Sequence, residues 1–471
     1  MIKRADIVTW IVLVTAFLAT RLANLGLIPI FTDESIYLRW SQIMAFDASL
    51  RFLPLTDGKP PLFMWLTSGV MRLLPQMDAL LTGRLVSVAA GLGSVIGIFF
   101  ASYILFKNRK ISYLAALFYL LSPFTFFYDR FGLADSLLAM FGIWTLGLAV
   151  LLVRTIRLDV AMILGLTVGF GLLTKTPALF FFFLLPLSLL VGKWHWKLIP
   201  LFAVVVVFAQ AVFSILRLFP LFNMIDQKNH EFILTFPEFF RNPLQYFWGN
   251  LHSLVPWEIS YLTIPVALLT LLAFKKYFRP SLLLATLFLG HLIYMAVFNK
   301  VIYPRFLLTF TPYLLILAAV GLSFFSQRKL VLVAFLVFLY PAFTIFKLTT
   351  DPISAPLLQA DRDQYLDGWA AGYGVTEVRA YLSKESKLHD KITIGTEGTF
   401  GLMPFALEIY KKDYPNVDIK PYWPLPEKIP AGLDYFIVYQ RSAPPAGWPL
   451  ELISKYRQGK GESSLQLYKV L

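Results

Sequence analysis

Eleven apolar runs dominate the chain, most of them near the ~20 residues that carry a helix across a bilayer. They fall at 7–27, 83–106, 111–128, 136–153, 158–174, 177–192, 198–217, 259–274, 281–299, 306–325 and 330–348. A lipid environment satisfies no backbone polar group, so runs of this length predict helices. The expected fold class is a polytopic α-helical membrane protein of about eleven transmembrane helices. The segments between the runs test that reading. If the N-terminus faces the cytoplasm, the inner segments hold Lys3, Arg4, Lys107, Arg109, Lys110, Arg154, Arg157, Lys193, Lys197, Lys275, Lys276, Arg279, Arg328 and Lys329, against only Asp6 and Asp159. Every second connection is basic, as the positive-inside rule requires. The rule also accounts for much of the formal charge of +14, so that charge does not call for a nucleic-acid partner. Lys3 and Arg4 precede a run with no small-residue cleavage site, and the first span is read as uncleaved. An odd number of spans places the C-terminus outside, and the expected location is the plasma membrane. The chain has no cysteine, which excludes disulfides, thiol catalysis and cysteine-held metals.

Two long outer loops, 28–82 and 218–258, contain apolar stretches too short to span. Leu62 to Leu74 follows Pro60-Pro61, a helix-starting pair, and Pro237 to Trp248 is the second stretch. Both are expected to be interfacial helices. The division expected is a membrane domain at 1–348 and a polar tail at 349–471. The tail carries strand-like runs at 391–395, 434–439 and 465–471 and a helical stretch at 375–388, so it reads as a small extracytoplasmic α/β domain.

Ionisable residues near span ends are costly in a membrane unless they have partners or work. Asp33, Glu34, Asp57 and Lys59 lie in the first outer loop, and Arg84 lies at the outer start of the second run. Asp129, Arg130 and Asp135 share the turn between the third and fourth runs. Lys175 follows the fifth. His230 and Glu231 lie in the second long loop, and Tyr303 and Arg305 precede the tenth run. The charge alternation puts all of them on one face. Bases there suit a phosphate, and a carboxylate suits proton removal. Lys59 stands just before a helix start, where backbone N–H groups also favour phosphate. Each also has a plainer role. Asp33 and Glu34 fit a helix N-terminus, Asp135 fits a helix cap, Arg130 fits a partner of Asp129, Lys59 fits a snorkelling lysine, and Lys175 fits a headgroup contact. No glycine-rich nucleotide loop or serine nucleophile elbow is present.

In order and spacing, Asp33-Glu34, Lys59-Pro60-Pro61-Leu62, Gly83-Arg84-Leu85, Gly132-Leu133-Ala134-Asp135-Ser136, Gly171-Leu172-Leu173-Thr174-Lys175-Thr176-Pro177 and Tyr303-Pro304-Arg305-Phe306 resemble the GT-C class of membrane glycosyltransferases. The likeness is to the group of protein O-mannosyltransferases and lipid A aminoarabinose transferases, and it covers roughly 1–325. It implies a donor sugar on a polyprenyl phosphate and an acceptor that is a protein, lipid or glycan hydroxyl. It implies Asp33 as general base, with Glu34 beside it and Asp135 helping to build the site. It implies Lys59, Arg84, Tyr303 and Arg305 around the donor phosphate. In the aminoarabinose branch a glutamate precedes the lysine and a loop histidine joins it at a divalent metal ion. Here Gly58 replaces that glutamate, and Asp57 and His230 are the candidate metal ligands. One base and no second carboxylate acting as nucleophile imply a single, inverting displacement. The rival reading is a secondary transporter of a lipid-linked or anionic substrate, a class that usually shows paired repeats.

Overall fold

The computed structural model describes residues 4–441 and 443–471, and Lys3 lies outside them. Among the described residues five helices are long and apolar enough to cross a membrane: Ala79–Phe106, Ala134–Thr155, Leu198–Leu218, Phe278–Phe298 and Gln327–Thr350. All eleven expected runs are helical in whole or part, but several are not straight spans. The third breaks at Ser122, where Pro123 starts a new turn, giving Arg109–Leu121 and Pro123–Tyr128. The sixth is mostly 3-10 helix from Thr176. The expected run 259–274 begins earlier, as Phe247–Leu262, and meets Ile264–Lys275 at a 90° bend. Thr263 makes that corner with a left-handed φ of 70°. The interfacial helix expected from Pro237 to Trp248 is shorter, at Phe236–Arg241. Leu62–Leu73 forms as expected.

The chain divides into two compact units. The first comprises 1–23, 52–63 and 85–346, and the second 24–51, 64–84 and 347–471. The second unit is therefore more than the tail, because it takes in two pieces of the first outer loop.

In the first unit, helices approach closely where side chains are smallest. Gly165 and Gly169, four residues apart on Leu158–Thr174, face the helix Leu198–Phe213. A Cβ on either would meet Phe208 or Val212 within 3 Å. Small residues at this spacing let helices pack in lipid by direct contact.

The second unit is built on a five-stranded sheet of order β2-β1-β3-β5-β4. The strands are β1 (Ile392–Glu397), β2 (Val417–Tyr422), β3 (Tyr435–Val438), β4 (Leu450–Arg457) and β5 (Ser464–Val470). β1 pairs in parallel with β2 and β3, and β5 pairs antiparallel with β3 and β4. Alternation along β3 sends Tyr435 and Ile437 to one face and Phe436 and Val438 to the other. The first face packs on the helices Thr32–Phe46, Val375–Glu385 and Leu402–Glu408, through Leu38, Val378, Leu382, Ala406 and Leu407. The second face closes a smaller core with Trp448 and Tyr468.

Candidate active site

In the second unit the carboxylate pair opens the helix Thr32–Phe46, and its two members differ. Glu34 is fully buried. One of its oxygens accepts from the Phe31 N–H at 3.0 Å, which satisfies a donor at the start of its own helix. Its oxygens also accept from Arg84 Nε at 2.9 Å and Nη2 at 2.8 Å. The remaining Arg84 donors go to the carbonyls of Leu25, Ile28 and Pro29 at 2.7–3.0 Å. A guanidinium has five N–H donors, and here all five are used. Arg84 and Glu34, expected at the donor phosphate and beside the base, are thus held to each other and to the backbone in this structure.

Asp33 is half-buried and lies off the face that anchors the helix. That face carries Thr32, Ser35, Arg39 and Gln42, at helical spacing. The Thr32 hydroxyl donates to the Ala370 carbonyl, the Ser35 hydroxyl to the Gly401 carbonyl, Arg39 Nε to Glu408 at 2.6 Å and Gln42 Nε2 to the Ile409 carbonyl. The helix start is thereby fixed, and Asp33 with it.

In the first unit the two long loops meet at Gly58. Its φ of 62° is left-handed, and a Cβ there would lie 2.3 Å from the Met224 carbonyl oxygen. Only glycine fits both conditions. This approach brings Asp57 to the helix Met224–Phe232. Asp57 then bridges two ammonium groups, Lys59 at 3.2 Å and Lys228 at 3.1 Å. Lys228 also pairs with Glu231 at 2.8 Å. Burial opposes the charge on Lys228, but the Glu231 and Asp57 contacts outweigh it and hold its pKa above the usual lysine value. Sequence reading passed over Lys228; its only local signal is the spacing to Glu231.

Asp57 and His230, the expected metal ligands, both have protein partners in this structure. Each Asp57 oxygen lies against an ammonium group that would repel a divalent ion. His230 Nε2 is 3.6 Å from Asp226. Among the described residues no three His, Asp or Glu side chains gather as a metal site.

A second cluster in the first unit joins the other span-end residues. Asp135 lies buried in the first turn of Ala134–Thr155 and accepts from Lys175 Nζ at 2.7 Å. The Lys175 ammonium also sits 5.1 Å from the centre of the Phe306 ring. Arg305 approaches the same ring at 5.9 Å and Tyr303 at 5.1 Å. Arg305 is buried in the turn Pro304–Leu307. Two cations thus share the π-face contacts of one aromatic pair. Lys175 belongs to this cluster rather than acting only as a headgroup contact. A planar guanidinium beside an ammonium can take several phosphate oxygens at once.

Asp129 and Arg130 serve the fold. Asp129 faces Arg21 at 3.5 Å and accepts from the Tyr119 hydroxyl at 3.1 Å, with all three buried. Arg130 donates to the carbonyls of Thr20, Arg21 and Ala23. Glu258 was also missed. It lies buried within Phe247–Leu262 and accepts from the Thr311 hydroxyl at 3.0 Å.

Residues 58–217 match the family model for dolichyl-phosphate-mannose-protein mannosyltransferase. No curated protein matches the chain by sequence. Among solved structures, ArnT from Cupriavidus metallidurans in the apo state aligns with a TM-score of 0.63 at 15% identity, covering 98% of each chain. ArnT from the same organism bound to undecaprenyl phosphate aligns at 0.53 and 18% identity, over 87% of this chain and 75% of that one. At these identities the structural likeness is one of fold. The family match over 58–217 bears out the resemblance to the GT-C class of membrane glycosyltransferases across the four motifs it spans, from Lys59 to Pro177, and the solved structures add a likeness of fold along the chain.

Proposed function

We propose that this chain transfers a sugar from a polyprenyl-phosphate donor to an acceptor hydroxyl at the outer face of the membrane. The observation that carries the reading is the buried Arg305 beside Lys175, both held on Phe306. It is a cationic pair at a span end, in a chain whose family match and fold are those of lipid-phosphate sugar transferases. The acceptor oxygen attacks the anomeric carbon, and the carbon–oxygen bond to the phosphate breaks. The electron pair leaves with the phosphate oxygen, whose charge Arg305, Lys175 and Lys59 stabilise. Asp33 takes the acceptor's proton. It is assigned this role over Glu34 because Glu34 commits both oxygens to Arg84. One base and one displacement give inversion.

The test is purified protein in lipid with a panel of polyprenyl-phosphate hexoses and pentoses. Release or transfer of one sugar, lost on Arg305→Ala, supports the reading and names the donor. Retention at the anomeric carbon in the product removes the single displacement. Counterflow of a lipid-linked or anionic solute, with no sugar released, replaces the enzyme by a transporter.

A further inference from the structure

The second unit contains a polar cleft of about 560 Å³ that none of the chemistry above uses. Its volume falls within the roughly 300–1,000 Å³ of small-molecule sites. The floor is the ion pair of Arg362 and Asp367, at 3.0 Å. Arg362 also donates to the carbonyls of Ile353 and Ala355. The turn after β4 presses onto this floor. Gly459 has φ 45°, and a Cβ on it would come within 2.2 Å of Asp367 Oδ1. The next backbone N–H, of Lys460, donates to that oxygen at 2.8 Å. The floor is therefore bonded in place before any ligand arrives.

The rim is different. Asp363, Lys460 and Glu462 line it, and so does Trp369, whose side chain is 47% exposed. A single exposed tryptophan is ordinary on a surface. An exposed indole lining the same cleft as carboxylate and ammonium groups is a narrower arrangement. The rim mixes both signs, which does not favour an isolated phosphate. Its polarity does not favour an apolar chain. A pyranose offers an apolar C–H face for the ring and hydroxyls that both donate and accept, which suits this mixture.

The cleft is tied to the assigned base. Thr32 donates to the Ala370 carbonyl from its backbone N–H at 3.1 Å and from its hydroxyl at 3.0 Å. Ala370 follows Trp369, and Asp33 follows Thr32. The geometry points to this cleft as the subsite for a sugar ring of the acceptor, with Trp369 as its stacking platform. The acceptor role rests on the transferase reading; sugar binding by the cleft does not.

The experiment is saturation-transfer NMR of the full chain in lipid nanodiscs, with methyl hexosides and disaccharides as probes and no donor present. At least one saccharide is expected to bind the wild type. Trp369→Ala weakens that binding about tenfold or more, the scale of one lost stacking contact. Trp369→Phe keeps it, which separates loss of the ring from loss of fold. With the donor supplied, Trp369→Ala raises the KM for a glycan acceptor by a similar factor. Absence of saccharide binding to the wild type, or binding unchanged in Trp369→Ala, overturns the inference. Transfer confined to serine and threonine peptides, with an unchanged KM in Trp369→Ala, also overturns it. Asp33→Asn reports on the transferase reading alone, because the binding arm needs no turnover.

Discussion

Two ion pairs near span ends look alike in sequence and do different work in the molecule. Glu34 and Arg84 are both buried, and the guanidinium spends every donor within the protein. Asp135 and Lys175 also pair closely, but Lys175 remains about a quarter exposed and shares the Phe306 ring with Arg305. A saturated pair fixes a backbone. A pair with its cation at a surface can still exchange partners for a ligand. Burial and donor count separate the two roles, and residue type does not.

The comparison breaks most sharply at Arg84. Arg84→Met removes both guanidinium donors from the buried Glu34 carboxylate and the Arg84 donors from three carbonyls. A buried pair broken on one side costs about 3–5 kcal/mol. Thermal unfolding in lipid is expected to show a large loss of stability, and Glu34→Gln a smaller one. An unchanged unfolding temperature in Arg84→Met returns that residue to the phosphate site. Arg305→Ala tests the other region. Sugar transfer is expected to fall by about 10²–10³, the scale of one lost transition-state donor. The protein should still elute as folded material. Arg305→Lys should recover only part of the rate, because an ammonium lacks the planar fork.

Gly58→Ala comes next. It forces an L-residue into the left-handed region, which costs about 1–2 kcal/mol, and drives a methyl into the Met224 carbonyl. The junction of Asp57 with Lys228 should loosen, lowering both the unfolding temperature and turnover. The smallest effect lies at Glu238. The Lys300 contact, the Thr235 N–H and the Thr235 hydroxyl lower its pKa from 4.5 to about 2. A carboxylate with a lowered pKa adds stability above its unfolded value and loses it as pH falls toward the folded one. The gap in unfolding temperature between wild type and Glu238→Gln should therefore hold above about pH 5 and close between 4.5 and about 2. A gap that stays constant to pH 2 contradicts the pairing.

What the sequence revealed follows the same logic. Strands β1, β3 and β5 were legible because they are inner strands and strongly apolar. The two missed strands, β2 and β4, are the sheet edges. β2 carries Pro421, tolerated only at an edge, and β4 slips register between Leu452 and Ser454. Span positions were legible from hydropathy. The breaks at Ser122 and Thr263 were not, since both depend on how neighbouring helices replace lost backbone bonds. The residue types of the site were legible from span-end charges, but their partners were not. Lys228 reaches Asp57 across some 170 residues of chain, and Arg84 reaches Glu34 across 50. No local spacing encodes either contact.

The most direct test of the account is the turnover of Asp33→Asn beside Asp33→Glu, with the polyprenyl-phosphate donor that the wild type uses. Loss of the base is expected to lower transfer by about 10²–10⁴, with donor binding retained and the glutamate variant partly active. Wild-type transfer rates in Asp33→Asn would contradict the assignment of Asp33 and, with it, the division of labour between the two carboxylates.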